Sequence, residues 1–355
     1  MGLQGFLESF NHSLTLLVVF PAIVVFGLYL TLKLGCVQLT KLPESLRAIL
    51  KKGNSEEGSI SRFGAVSAVL AGNFGTGNIS GMAVAIATGG PGALVWMWIM
   101  AFFGAAIQYA SCFLGVRWRA KTKENRGSVK GSEYAGGPMY YLRDGLGLNK
   151  TALFFAIFTL FGSITVGNFA QINSVILPLE KMGFDPFFCS LIIACFVAVV
   201  ILGGIQRIAS LASYVVPFKA ALYLGTALTI IALHYDKLFW AFGLMFQSAF
   251  DFSSMAGGAL GFGMFQAIKT GFDRGLFATD AGTGIVPILQ SNARSENPVL
   301  DGISTLIAPL MVMIVCTTTG LVLLMTGAWQ VADLQSTNMV TYAFSEGLGS
   351  SIGGH

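Results

Sequence analysis

Charge is the scarcest property of this 355-residue sequence. Asp, Glu, Lys and Arg together make up 11%, against 54% hydrophobic residues and a mean hydropathy of +0.71. A soluble domain of this length could not cover its surface with so few charged side chains. Histidine is nearly absent. His12, His234 and His355 lie near segment ends, and no nucleophile–base pair or metal-ligand spacing accompanies them, so the sequence does not read as an enzyme. The five cysteines (Cys36, Cys112, Cys189, Cys195, Cys316) sit in or beside apolar runs and read as packing residues, not as a disulfide or metal framework. The first twelve residues hold neither Lys nor Arg, so the basic n-region of a signal peptide is missing. Gly89 to Gly92 is not a phosphate loop, because no Lys and Ser/Thr follow it. The Lys and Arg clusters read as topology signals, not as nucleic-acid sites. What remains is an all-α polytopic membrane protein in a lipid bilayer.

Apolar runs of ~20 residues are long enough to cross the hydrocarbon core. Eight lie near 13–32, 63–88, 93–116, 152–178, 187–205, 211–233, 250–274 and 303–328. A further segment, Asp236 to Phe250, is aromatic, carries one charge pair and reads as interfacial. Six basic residues fall in 33–62 and eight in 117–150, while the intervening "TGGPGAL" has none. Arg207, Arg274 and Arg294 continue the basic side, with Lys181 and Lys237 on the other. The alternation places the N-terminus outside and runs the second segment from inside to outside.

That second run is interrupted at its midpoint by "AGNFGTGNIS" (71–80), with Gly72, Gly75, Gly77 and Gly81 inside ten residues. The seventh run carries Gly257, Gly258, Gly261 and Gly263 and, by the charge count, crosses in the opposite direction. Glycines of this kind also serve tight helix packing. Two glycine-broken helices, five apart and antiparallel, fit the pattern of an inverted-repeat secondary transporter. An unwound turn at midplane frees backbone groups that lipid cannot satisfy. Its N–H groups and half-helix dipole suit a carboxylate, and its carbonyls, with Asn oxygens, suit a small hard cation. The break therefore reads as a site for a zwitterion and its coupling cation.

The stretch "GTGNISGMAVAIATGGPGALVWMWIMAFFGA" resembles the signature region of the alanine or glycine:cation symporters. "YAGGPMYYLRDGLG" (134–147), "GNFAQINSV" (167–175) and "RGLF" (274–277) resemble it in the same order. The resemblance implies a leucine-transporter-like fold: one extra N-terminal helix with a basic cytoplasmic loop (1–60), a first five-helix repeat (61–235) and a second repeat (236–355). About eight transmembrane helices are expected, two of them discontinuous. It also implies Na⁺- or H⁺-coupled uptake of small neutral amino acids such as alanine or glycine by alternating access, in a bacterial inner membrane, with no other cofactor. By position, Thr76 and Gly77 would offer N–H groups to the substrate carboxylate. Asn78 would give an oxygen to a cation, with the Asn73 carbonyl, and would border the substrate. The carbonyls of Ala71 and Phe74 would line a second cation site. Asn168 and Ser80 would face the pocket, and Gly258 and Gly261 would receive the amine and side chain. For Asn78, Asn168 and Ser80 the alternative is an interhelical hydrogen bond.

The sequence departs from that family in two places. "ATDAGTGIVP" follows "RGLF", keeping an acid at Asp280 but not the usual Ser-Asn before it. The eighth run keeps Cys316, Thr317 and Thr319 but has Met311 and Val312 where an Asp-Thr pair is common. The second repeat is also expected to be incomplete, so that another chain would supply the missing C-terminal helices. A channel-like protein or non-transporting fragment of the same fold is the competing reading.

Overall fold

The computed structural model describes residues 3–50, 59–121, 134–250, 261–294, 297–331, 334 and 336–349, and these are almost wholly helical. The first apolar run is a long helix, α1, made of Leu3–Leu14, a π-helical stretch Thr15–Val19 and Phe20–Lys33. An amphipathic helix, α2 (Leu42–Leu50), follows it and buries Ser45, Ala48 and Ile49. The second run is two helices, α3 (Arg62–Asn73) and α4 (Thr76–Gly89). Then come α5 (Ala93–Arg117), α6 (Asn149–Lys181), α7 (Pro186–Ile201) and α8 (Gly204–Leu233). Among the described residues the sheet content is one two-residue antiparallel pair, Ala120–Lys121 with Tyr134–Ala135.

The expected interfacial segment is α9 (Leu238–Ala249), only twelve residues long. That is roughly 18 Å of helix, too short to span a ~30 Å hydrocarbon core. The seventh run is α10 (Gly261–Thr279), and the short α11 (Ile285–Gln290) follows. The eighth is α12, formed by Pro298–Thr305 and Ile307–Met325 about the single residue Leu306. A last helix, α13 (Ser336–Gly347), is again twelve residues. Gly5–Lys33, Ala93–Arg117, Gly204–Leu233 and Pro298–Met325 are each long and apolar enough to cross a bilayer as one helix. Asn149–Thr165 and Pro186–Ile201 are shorter apolar helices. The chain is an all-α polytopic membrane protein.

The core gathers around α4 and α5. Met82, Ile86, Leu94 and Met97 pack with Ile230 of α8, Met245 of α9, Val322 to Met325 of α12 and Met339 of α13. Small residues let backbones approach closely, as membrane helices require. A Cβ on Gly271 would lie 2.5 Å from the Ala93 carbonyl, and one on Gly92 2.6 Å from the Ala249 nitrogen. By contrast α6, α7 and the outer face of α8 expose Phe158, Phe187, Leu191 and Phe218, an apolar surface suited to lipid.

One end of the bundle is fastened by a buried ion pair. Arg62, the first residue of α3, donates from Nε to Asp301 Oδ1 of α12 at 2.9 Å, with side chains 6% and 0% exposed. Arg62 Nη1 also reaches the Ala48 carbonyl of α2 at 3.4 Å, and Gln290 Nε2 of α11 reaches Asp301 Oδ1 at 3.5 Å. The pair thus ties the first half of the broken helix to three neighbours.

Candidate functional site

The second run unwinds at Phe74–Gly75, where the glycine-rich sequence places the break. Leu70 O accepts the Phe74 N–H at 2.6 Å and Gly72 O accepts that of Gly75 at 3.3 Å, which ends α3. Gly75 then turns extended (φ −86°, ψ −165°) and starts α4 with no side-chain cap. The first-turn N–H groups of α4, those of Thr76 and Gly77 among them, have no intrahelical acceptor. Among the described residues no backbone N–H reaches the carbonyls of Ala71 or Phe74.

The two asparagines face each other across this turn. Asn78 Nδ2 donates to the Asn73 carbonyl in a short hydrogen bond. Both side chains are buried, at 1% and 4% exposure, yet Asn78 Oδ1, Asn73 Oδ1 and Asn73 Nδ2 have no partner. Buried polar atoms are paired in the great majority of cases, and each orphan costs about 1–3 kcal/mol. Three within one turn of each other form a polar pocket that a ligand would stabilise.

A cavity of about 770 Å³ opens from this turn, bordered by Gly72, Asn73, Gly77 and Asn78. The opposite wall comes from α6 (Phe155, Phe158, Gln171) and from Asp273 and Phe277 of α10, with Asn11 and Thr15 of α1 at one side. Asp280 also borders it, in the connection beyond α10, and burial pushes its carboxyl up to about 6. The volume falls within the range of roughly 300–1,000 Å³ usual for small-molecule pockets. The glycines of the break are where neighbouring side chains press against it. A Cβ on Gly75 would lie 2.6 Å from both Nε2 and Oε1 of Gln171, and one on Gly77 2.9 Å from the Phe277 ring. Gln171 and Phe277 therefore clasp the broken turn from two helices.

Gln171 and Phe277 were not singled out in the sequence, although both lie in quoted motifs. A helix of 33 residues with a weak apolar stripe does not disclose which of its polar residues faces inward. Asn168 stands apart from the cavity. It lies exposed on α6, its Nδ2 donating to the Ser163 and Ile164 carbonyls of its own helix at 3.3 and 3.4 Å, and it does not border the cavity. Ser80 does not border it either, since its hydroxyl bonds Thr337 Oγ1 of α13 at 2.8 Å. This is the interhelical alternative. Thr76 starts α4, and Gly261 is the first residue of α10. Gly258, and the expected break around 257–261 up to residue 260, lie outside the described residues.

The hydroxyl-rich run of α12 ties three helices together, α4, α5 and α8. Cys316 donates to the Asn78 carbonyl at 3.6 Å, Thr317 accepts from Trp98 Nε1 at 2.8 Å, and Thr319 meets the Tyr223 hydroxyl at 2.6 Å. Met311 and Val312 pack with apolar neighbours in the core.

The sequence profile of the sodium:alanine symporter family matches residues 1–354. The chain is 40% identical over 330 residues to an uncharacterized transporter of Haemophilus influenzae, covering 92% of this chain and 71% of that one. It is 40% identical over 309 residues to the sodium/alanine symporter AgcS of Methanococcus maripaludis, covering 85% and 66%. With the probable sodium/glutamine symporter GlnT of Bacillus subtilis it shares 33% over 333 residues, covering 93% and 67%. It thus spans about two thirds of the length of these curated relatives. Collinear identity at this level, over a fold with a helix broken at a buried polar pocket, leaves one assignment: the chain belongs to the sodium:alanine symporter family.

Proposed function

We propose that this protein couples Na⁺ to the uptake of a small neutral amino acid, with the broken turn of α3 and α4 holding both. The observation that carries this reading is the group of orphaned atoms on Asn73 and Asn78 beside an uncapped helix start. The N–H groups of Thr76 and Gly77 bind the substrate carboxylate, favoured by the α4 dipole. Asn73 Oδ1 and Asn78 Oδ1 give Na⁺ hard oxygen ligands, and the carbonyls of Ala71 and Phe74 are free for a second cation. A cation beside a carboxylate strengthens the binding of each, which is the thermodynamic basis of coupling. Gln171 and Phe277 close over the turn, and the carboxylate of Asp273 or Asp280 offsets the substrate ammonium. Alternating access moves this site between a cytoplasmic and an outer opening of a bacterial inner membrane, with the N-terminus outside.

Alanine and glycine are the first substrates to test. A cavity of about 770 Å³ also has room for a longer polar side chain, which keeps glutamine in the panel. Labelled alanine, glycine and glutamine should be offered to proteoliposomes under an inward Na⁺ gradient, a choline control and an inward H⁺ gradient. Concentrative uptake of one of them under Na⁺ alone supports the reading. Uptake driven by H⁺ without Na⁺ would transfer the coupling role to the proton, and no gradient-driven uptake would reject symport.

A further inference from the structure

Away from the broken turn, a second cavity of about 240 Å³ lies between the starts of α3 and α8. Its described lining residues include Ser59, Ser61, Ser210, Ser213 and Gln206, and none of them is charged. Two helices begin here and run away side by side. Ser61 caps α3 by accepting the Gly64 N–H at 2.9 Å, which leaves its own proton to donate. Gln206 lies in the first turn of α8, whose N-terminus has no side-chain cap. At Gly64 a Cβ would lie 3.4 Å from that of Ala209, so the two starts are in close contact. Each first turn presents N–H groups without intrahelical acceptors and a partial positive charge.

Ser59 supplies an independent observation. Its backbone is pinned, with the N–H groups of Ser59 and Ile60 donating to Asn292 O at 3.1 and 3.3 Å and Arg294 N–H donating to Ile60 O at 2.8 Å. Its side chain is only 4% exposed, borders the cavity, and has a hydroxyl with no hydrogen-bond partner. A buried, immobilised hydroxyl left without a partner beside two helix starts lacks an acceptor-rich ligand. The hydroxyls of Ser59 and Ser61 and the first-turn N–H groups of both helices are donors with no carboxylate among the described lining residues; such a set favours an anion, and several donors suit the oxygens of a tetrahedral one.

We propose that this cavity binds a phosphate group, either free inorganic phosphate or the headgroup of a phospholipid. The volume holds one phosphate and a few waters but not a nucleotide.

The test uses the full chain purified in detergent and melted with increasing inorganic phosphate against chloride at matched ionic strength. In parallel, the chain is melted in phosphatidylcholine nanodiscs with and without phosphatidate. Ser59→Ala deletes one orphan hydroxyl, and Ser59→Asp places a repelling carboxylate at the site; binding to the folded state alone raises the midpoint. The wild type should show a saturable rise with phosphate or with phosphatidate. The half-saturating concentration should increase about tenfold in Ser59→Ala, and Ser59→Asp should show no response. A rise confined to phosphatidate identifies the lipid as the source; a rise with inorganic phosphate identifies the free ion. Should Ser59→Asp fail to fold, the wild-type and Ser59→Ala titrations decide. A wild type that responds to neither source, or a Ser59→Ala response equal to it, overturns the proposal. Amino-acid uptake is not read, so the outcome stands apart from that of the symport assay.

Discussion

Replacing Asn78 by alanine should separate the structural work of this residue from its role toward a ligand. In the unliganded protein its Nδ2 bonds the Asn73 carbonyl, and its Oδ1 is buried without a donor. The substitution relieves one orphan acceptor, Asn78 Oδ1, but leaves the Asn73 carbonyl without its donor; each is worth about 1–3 kcal/mol, and the two largely cancel. The stability of the empty protein should therefore change by less than about 1 kcal/mol. With substrate and Na⁺ present, the same change deletes a cation ligand in a buried site. That costs on the order of 1–3 kcal/mol, or roughly five- to 150-fold in affinity. Asn168→Ala is the control, because that side chain is exposed and bonds only carbonyls of its own helix. It should leave stability within about 0.5 kcal/mol and affinity unchanged. Thermal unfolding of the empty chains, with equilibrium binding of labelled alanine at fixed Na⁺, reads both quantities. Unchanged alanine affinity in Asn78→Ala, or an equal loss in Asn168→Ala, would refute the assignment of the broken turn.

Other substitutions probe the frame around the site. Asp301→Leu alone removes the carboxylate that balances the buried Arg62 guanidinium and should cost about 3–5 kcal/mol, whereas Arg62→Met with Asp301→Leu should recover most of it in thermal melts. Gly92→Ala sets a Cβ 2.6–2.7 Å from the backbone of Ser248 and Ala249, which cannot swing aside, so it should cost about 3 kcal/mol. Gly243→Ala, with nothing within 4 Å, should melt no lower than the wild type. Burial raises the Asp280 carboxyl from 3.8 to about 6, so the folded state holds its proton more tightly than the unfolded. Its contribution to stability is complete below about pH 4 and is lost as pH rises to about 6, amounting to at most about 3 kcal/mol. Asp280→Asn should flatten melting midpoints over that window, and a slope unchanged from the wild type would count against the buried carboxyl.

The sequence disclosed those features whose cause is local. Apolar runs of spanning length became helices near the expected limits, because length and hydropathy are set within each run. The break at Phe74–Gly75 was legible because three glycines around two asparagines remove the reasons to stay helical. Features that depend on rotation about a helix axis, or on partners far apart in the chain, were not legible. Asn168 and Gln171 are three residues apart on one apolar helix, and only packing decides which turns inward. Arg62 and Asp301 are 239 residues apart, so their pairing leaves no local signal. Ser80 read as either a pocket or a packing residue, and it forms an interhelical hydrogen bond.

The central claim is that one broken turn holds substrate and cation together, and reciprocal binding tests it most directly. Alanine affinity should be measured across a Na⁺ series at constant ionic strength, and Na⁺ affinity across an alanine series, on the same purified chain. Linkage requires that each ligand tighten the other by the same factor. The account predicts equal factors of at least five, both falling toward one in Asn78→Ala. Alanine binding that is indifferent to Na⁺ would contradict it.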